Sequence, residues 1–446
     1  MADPLQPAPR PESTILELGD AFYDRVTPAP FPQTILRFRN DRAAAEVGLA
    51  GLSDDEWIAH FARFEPIAGS LPEPLALRYH GHQFRVYNPD IGDGRGFLFA
   101  QLRDARGRLL DLGTKGSGQT PYSRFGDGRL TLKGGVREVL ATEMLEALGV
   151  ETSRSFSLIE TGEGLVRGDE PSPTRSSVLV RLNHSHIRIG TFQRLAYFRE
   201  AEPMARLVDY VLRTYYGETP GEDAPLRLLE LVVERTARLA GQFMAAGFVH
   251  GVLNSDNINV TGESFDYGPW RWVPVWDPAF TAAYFDHSGL YAFGRQPEAI
   301  HWDAMQLAAS LRQLVDTEPL VERLDRFGEN YGHYVVEAML WRLGLQPLRT
   351  DADVAAVQAV ERHLRETQAP IDRFFFDAFA RPDTLPELAG HTPRKDRDHA
   401  YWSDSEPCAM LIDEVEAIWA PIAESDDWAR FDAKIAAVRR MGEALA

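Results

Sequence analysis

The spacing of apolar residues changes period along this chain, and each change marks a different kind of structure. The first 70 residues alternate Pro-rich stretches (Pro4 to Pro11, Pro28 to Pro32) with short helical candidates. Ser53 to Phe64 is one of these, because Ser53 precedes Asp54-Asp55-Glu56 as an N-cap with an acidic first turn. From about Leu75 to Leu182 short apolar runs predict strands. Phe97 to Leu102 and Leu109 to Leu112 flank the turn signal Asp104 to Gly107 and read as a hairpin, and further strands are expected around Phe156 to Ile159 and Ser177 to Leu182. One long helix interrupts them: Gly134 to Leu148 carries apolar residues at helical spacing and stops before Gly149. Beyond about residue 195 the helical period dominates. Leu229, Val232, Leu239 and Phe243 form one stripe of a helix expected over Pro225 to Ala246, with Gly247 as its stop. Trp302 to Val315 and Ser425 to Ala444 continue the style, separated by polar, Pro-containing connections around 380 to 407. The pattern predicts an N-terminal extension over 1–70, a strand-rich lobe over 71–195 and a helical lobe over 196–446, which is an α+β fold in two lobes.

Composition narrows the classes of function. With 446 residues, 44% of them hydrophobic, the chain can bury a large core. A formal net charge of -19 argues against broad binding to nucleic acid or to an anionic membrane, since both need a basic face. Cys408 is the one cysteine, so neither an intramolecular disulfide nor a cysteine-rich zinc site is available, as suits a reducing compartment. The first 12 residues lack the basic start and apolar core of a secretory signal, and no apolar run approaches membrane-spanning length. The expectation is a cytoplasmic protein.

The most informative stretch runs from His250 to Asn257, followed by the apolar segment Ile258 to Val260 and by Asp266-Tyr267-Gly268. In kinases a His-x-Asp opens the catalytic loop, an Asn five residues after that Asp holds a metal ion, and an Asp-x-Gly follows. Here His250, Asn257 and Asp266 occupy the matching positions, but Val252 stands where the base should be and cannot accept a proton. Asp256 brings a new carboxylate beside Asn257. Oxygen ligands from Asn257 and Asp266, together with phosphates, suit Mg2+ or Mn2+.

Other candidates gain meaning from their positions. Glu138 shares the register of Ala141, Leu145 and Leu148 on the apolar stripe of its helix, and a carboxylate there needs a cation. Lys115, which follows the strand Leu109 to Leu112, is the economical partner, and such a pair orients the lysine on nucleotide phosphates in kinases. Arg181 alternates with Val178 and Val180 and so points away from their face, with Arg188 seven residues later. Lys115, Arg181 and Arg188 converging would form a polyphosphate pocket. Gly92-Asp93-Gly94-Arg95-Gly96 is either a tight turn or a loop whose backbone N–H groups approach phosphate. Asp127-Gly128 is a nucleotide contact or a plain loop. His80 with His82, and His184 with His186, are spaced to share a strand face, but neither pair has an evident third zinc ligand.

Taken together, Pro74 to Phe84, Gly92 to Gly96, Asp111 to Arg124, Arg137-Glu138, His250 to Asn257, Asp266 to Pro269 and Tyr291 to Pro297 resemble the selenoprotein O family over roughly residues 70 to 305. The resemblance implies a kinase-like pseudokinase fold that binds ATP in reversed orientation and transfers AMP to Ser, Thr or Tyr hydroxyls of proteins, releasing pyrophosphate. It also implies roles for individual residues. Gly92, Gly94, Arg95, Lys115, Asp127, Gly128, Arg181, Arg188 and Asp266 match nucleotide-binding positions, Asn257 and Asp266 match metal ligands, and Asp256 matches the proposed proton acceptor. Arg85 stands at a position usually small in that family, and Asp303 where an Asn is common. Uridylyl transfer from UTP with manganese, phosphotransfer, and a silent nucleotide-binding scaffold are the alternatives.

Overall fold

The turn at Asp104 to Gly107 folds the flanking strands into the hairpin its sequence predicts, and that hairpin is the centre of the main sheet. The computed structural model describes residues 8–168 and 170–446; the Pro-rich start before residue 8 lies outside them. In chain order the strands are β1 (Pro11–Glu12), β2 (Tyr23–Arg25), β3 (Ile35–Arg39), β4 (Leu75–Leu77), β5 (Gly81–Gln83), β6 (Val86–Asn88), β7 (Leu98–Arg103), β8 (Leu109–Lys115), β9 (Leu130–Thr131), β10 (Arg154–Leu165), β11 (Thr174–Asn183), β12 (Phe248–His250) and β13 (Trp270–Trp272). The main sheet is antiparallel with order β2-β4-β7-β8-β11-β10-β3, while β1 adds to β7 and β9 to β11. Residues before 70 therefore belong to the sheet, through β1, β2 and β3, rather than standing apart from it.

The helices are α1 (Asp41–Glu46), α2 (Asp54–Phe61), α3 (Leu132–Ala147), α4 (Ile189–Phe198), α5 (Ala201–Val211), α6 (Ala224–Ala246), α7 (Gln296–Leu311), α8 (Thr317–Leu324), α9 (Phe327–Arg342), α10 (Asp351–Thr367), α11 (Ile371–Ala378), α12 (Ile412–Ser425) and α13 (Ala429–Leu445). Their ends follow from local chemistry. Ser53 and Glu56 form the reciprocal capping box that starts α2. Thr131 caps α3 through Gly134 N–H, so the helix begins at Leu132, two residues before the start that apolar spacing alone suggests. Pro225 sits in the first turn of α6, and Gly247 closes that helix at φ 66°, a left-handed value that glycine adopts without a Cβ clash.

The sheet's two faces pack differently. One face receives α1 and α2: Trp57 stacks on Phe156 with ring centroids 4.9 Å apart and gives its indole N–H to Ser157 Oγ at 2.9 Å. Val178, Val180 and Leu182 point into this cluster with Leu110 and Leu112. Truncating an aromatic at such a position typically costs about 3–5 kcal/mol. The opposite face receives α3 and joins the core of the helical half. That alternation turns Arg181 toward α3.

The last two helices return to the strand-rich half. Arg439 on α13 makes a two-pronged pair with the buried Glu143 of α3 at 2.7 and 2.8 Å, and Lys133 of α3 pairs with Glu416 of α12 at 2.7 Å. Asp426, between α12 and α13, binds Arg37 and Arg175 at the sheet edge. The C-terminal helices thus brace the helix that carries Glu138. No helix among the described residues is long and apolar enough to cross a membrane.

Candidate active site

Register and helix phase bring the predicted cations together. In the β8–β11 pair, Lys115 lies opposite Leu179 and Arg181 opposite Gly113, so both charged side chains leave the same face. Gly113 leaves that face open at its own position, where a Cβ would strike the His186 ring. Lys115 Nζ is 2.6 Å from Glu138 Oε2 and 2.6 Å from Asp266 Oδ1. Arg181 Nη1 is 3.3 Å from each of the same two carboxylates. Arg188 precedes α4 and is nearly enclosed between the rings of Tyr79 and Phe265, 4.2 and 4.6 Å from their centroids. Its guanidinium holds Asp93 at 3.1 Å and the Asp256 carbonyl at 2.9 Å.

The loop after β12 is held from several sides. His250 N–H donates to Gln296 Oε1 at 2.9 Å, and the Gln296 amide donates to the Phe248 carbonyl at 2.8 Å. The imidazole spans the loop, with Nδ1 accepting from Val252 N–H and Nε2 facing the Phe265 carbonyl at 3.1 Å. Burial pulls its pKa below the usual value, so it is a neutral brace. Asn254 Oδ1 accepts from Tyr291 OH at 2.7 Å and from Phe84 N–H at 3.1 Å, and Ser255 Oγ accepts from His82 N–H at 2.8 Å. The Tyr291 to Pro297 motif is thereby explained: two of its side chains support the loop. Asn257 gives its amide hydrogens to the Val252 carbonyl at 2.9 Å, which leaves its oxygen as the group able to bind a cation.

These groups surround a cavity of about 690 Å³. Gly92, Gly94, Arg95, Lys115, Asp127, Gly128, Arg181, Arg188, Asp256 and Asp266 all line it, whereas Glu138 and Asn257 do not: Glu138 holds the lining residues Lys115 and Arg181 from behind, and Asn257 is bonded to the Val252 carbonyl beside the lining residue Asp256. The glycines are required by packing: a Cβ at Gly92 would meet the Tyr122 ring at 2.5 Å, and one at Gly94 the Tyr122 carbonyl at 2.9 Å. Asp127 is tied to Arg167 through both carboxylate oxygens at 2.8 and 3.0 Å. Sequence reasoning missed Tyr79, Asp93, Tyr122 and Arg167. Asp93 was the most accessible of these, since it lies inside the glycine motif.

Two carboxylates that line the cavity differ in how readily they take up a proton. Burial opposes ionisation of Asp266, but Lys115, Arg181 and Arg188 hold its pKa well below the usual carboxylate range. Its backbone is left-handed, with φ 66°, which Asp tolerates better than most residues. Burial pushes Asp256 up to about 6 against the pull of Arg188. A carboxylate held firmly ionised and one that takes up a proton near pH 6 therefore share one cavity. The histidine pairs are engaged in other ways: His80 Nδ1 meets Tyr87 OH at 2.8 Å, His82 Nδ1 meets the Gln193 amide at 2.6 Å, and His186 lies against Asp111 at 3.8 Å.

Known proteins resemble this chain over most of its length. The family described as protein adenylyltransferase SelO matches residues 10–384. The protein nucleotidyltransferase YdiU of Synechocystis sp. is 51% identical over 75% of this chain and 70% of its own. Those of Gloeobacter violaceus and Synechococcus elongatus are 45% and 43% identical, over 96% and 98% of this chain and 95% and 96% of their own. A Toxoplasma gondii rhoptry antigen kinase domain matches with a TM-score of 0.30 at 10% identity, over 67% of this chain and 85% of its own, a likeness too low to bear on the fold. With a cationic cavity, a loop whose kinase base is replaced by Val252, and a family match over most of its length, the chain belongs to the SelO family of protein adenylyltransferases and is an enzyme that transfers nucleotides to proteins.

Proposed function

We propose that this enzyme transfers AMP from ATP to Ser, Thr or Tyr hydroxyls of target proteins, with Asp256 as proton acceptor. The observation that supports this reading best is the division of labour inside one cavity. Lys115, Arg181 and Arg188 supply positive charge, Asp256 is poised close to neutrality, and Val252 leaves the usual kinase base position inert. Asp256 takes the proton of the target hydroxyl as its oxygen bonds to the α-phosphorus. The bond from that phosphorus to the bridging oxygen breaks, and pyrophosphate leaves with the electron pair. Lys115, Arg181 and Arg188 hold the phosphates and stabilise the leaving group, a positioned-charge effect that dominates phosphorus chemistry.

The oxygens of Asn257 and Asp266 fit a hard divalent ion, Mg2+ or Mn2+, and when bound it would neutralise charge on the phosphates. Asn257 is oriented for this by its bond to Val252, and Asp266 stays ionised because three cations surround it. Glu138 keeps Lys115 aimed into the cavity.

Incubation of the purified protein with ATP labelled at the α or the γ position tests the reading. The α label becomes attached to protein. Attachment of only the γ label would establish phosphotransfer instead, and binding with no attached label a scaffold. The same assay with α-labelled UTP and manganese compares the two bases.

A further inference from the structure

The hairpin that abuts the catalytic loop turns on residues that resist turning. β5 and β6 pair with Gln83 opposite Val86, so Phe84 and Arg85 alone make the connection, both left-handed at φ 51° and 62°. Asn and Gly usually fill such a turn, because a bulky side chain there is strained. The hairpin is nevertheless anchored on the loop: Phe84 N–H donates to Asn254 Oδ1 at 3.1 Å, and a Cβ at Gly81 would lie 2.9 Å from Asp256. Gln83 lines the cavity with Asp256, and Val86, its cross-strand partner, shares that face and is 70% exposed.

The Phe84 ring packs on Phe285 and Tyr291, with centroids 5.7 and 5.0 Å away, and Phe285 meets Tyr284 edge-on at 5.1 Å. Tyr284 and Phe285 are 85% and 41% exposed, although the turn that carries them is firmly built. The buried Asp286 carboxylate accepts Leu290 and Tyr291 N–H, each at 2.8 Å, and the Tyr291 hydroxyl bonds Asn254. Single exposed apolar residues are ordinary, but a contiguous aromatic patch on fixed backbone offers a large contact area at little cost in entropy. The charges beside it are engaged already, Arg85 and Arg295 with Glu298 at 3.0 and 3.4 Å and Asp286 inside its own turn. The patch therefore suits an apolar side chain and offers little to an acidic one.

Asn254 receives both Phe84 N–H and Tyr291 OH, so the two sides of the patch converge on the loop that carries Asp256. An enzyme that transfers nucleotides to proteins has to receive a polypeptide beside that loop, against these rings. We propose that Val86, Phe84, Phe285 and Tyr284 form a docking ledge for the target polypeptide, which lays an apolar side chain on it a few residues from the hydroxyl that reacts. The inference rests on the reading that this hydroxyl meets Asp256.

The test uses synthetic peptides that each carry one Ser or one Tyr, with the flanking positions scanned, given to the full chain with manganese and with ATP bearing distinguishable labels at the α and γ positions. The parent favours Phe, Leu or Met over Asp or Gly at a fixed offset from the hydroxyl by about tenfold, the scale of burying one apolar side chain. Val86→Ser combined with Tyr284→Ser, at two sites too exposed to hold the fold together, brings that ratio near unity through a higher peptide KM, while calorimetry shows ATP binding as in the parent. A flat or acidic preference in the parent overturns the proposal, and so does an apolar preference that survives in the variant. If sedimentation then shows a parental dimer that the variant dissociates, the ledge is a contact between copies instead. The labels separate this proposal from the reading it rests on. The γ label attached with the same apolar preference overturns AMP transfer and keeps the ledge. The α label attached without preference, or attached to intact proteins and to no peptide, keeps AMP transfer and removes the ledge; no label on peptides or proteins removes both.

Discussion

Lys115 Nζ and Glu138 Oε2 lie 2.6 Å apart, with 5% and 1% of their side chains exposed, in a protein of net charge -19. A buried pair of this kind is weak evidence for stability, since desolvating both charges offsets much of their attraction. Its value lies in aim: Glu138 fixes where the lysine's charge sits, beside Asp266 and the cavity. Changing each residue to Ala singly should sharply reduce transfer. The double variant should be better than the sum of the single losses by about 0.5–3 kcal/mol, because each single change leaves the other charge with an altered partner set. Additive effects in folded proteins would separate the two residues functionally.

Asp256 and Asp266 should fail in different ways. Asp256→Ala should keep metal-dependent ATP binding and lose transfer by about 10²- to 10⁴-fold, the usual contribution of a positioned proton acceptor. Asp266→Ala should weaken metal-dependent binding, since it removes the ionised carboxylate proposed to hold the metal and leaves Lys115 and Arg181 without that partner. Calorimetry paired with α-label transfer distinguishes the outcomes, and parental transfer by Asp256→Ala would require another acceptor.

Stability of the Glu138 helix should depend on the chain's last helix. Glu143 has 2% of its side chain exposed and takes both prongs of Arg439. Arg439→Ala leaves that carboxylate with Arg42 at 3.1 Å and Asn40 at 3.4 Å, the former half-exposed. Breaking a buried pair at one end commonly costs about 3–5 kcal/mol, and the remaining partners should hold the loss toward the lower end. Urea unfolding measures it; an unchanged midpoint would show that α13 does not brace α3.

Glu263 gives a pH dependence of known sign. Burial pushes it up to about 7 despite the bond it accepts from His184 N–H, so the folded state binds more protons there than the unfolded chain, whose value is near 4.5. Its contribution is therefore full at low pH and is lost as pH rises from about 4.5 through 7, by at most about 1.4 kcal/mol per pH unit. Glu263→Gln should gain on the parent across that interval. A stability difference that stays flat from pH 5 to 7.5 would contradict the assignment.

The sequence by itself determined what repeats at short range. Helical period placed Glu138 on a buried stripe, strand period turned Arg181 away from Val178 and Val180, and fixed spacing put Asn257 and Asp266 in their loop positions, because each depends on the geometry of one element or one turn. Only the tertiary structure decided which of these residues meet. Lys115 reaches Asp266 as well as Glu138, Arg188 is held by Asp93, Arg167 holds Asp127, and α13 folds back on α3. Asp303 stands out in the sequence only as a departure from the family pattern, and its full enclosure is a result of packing. Such pairings join residues tens to hundreds of positions apart, and no local period encodes them; they exist because sheet order and helix packing bring separate elements to one cavity, where burial and neighbouring charge then set each group's chemistry.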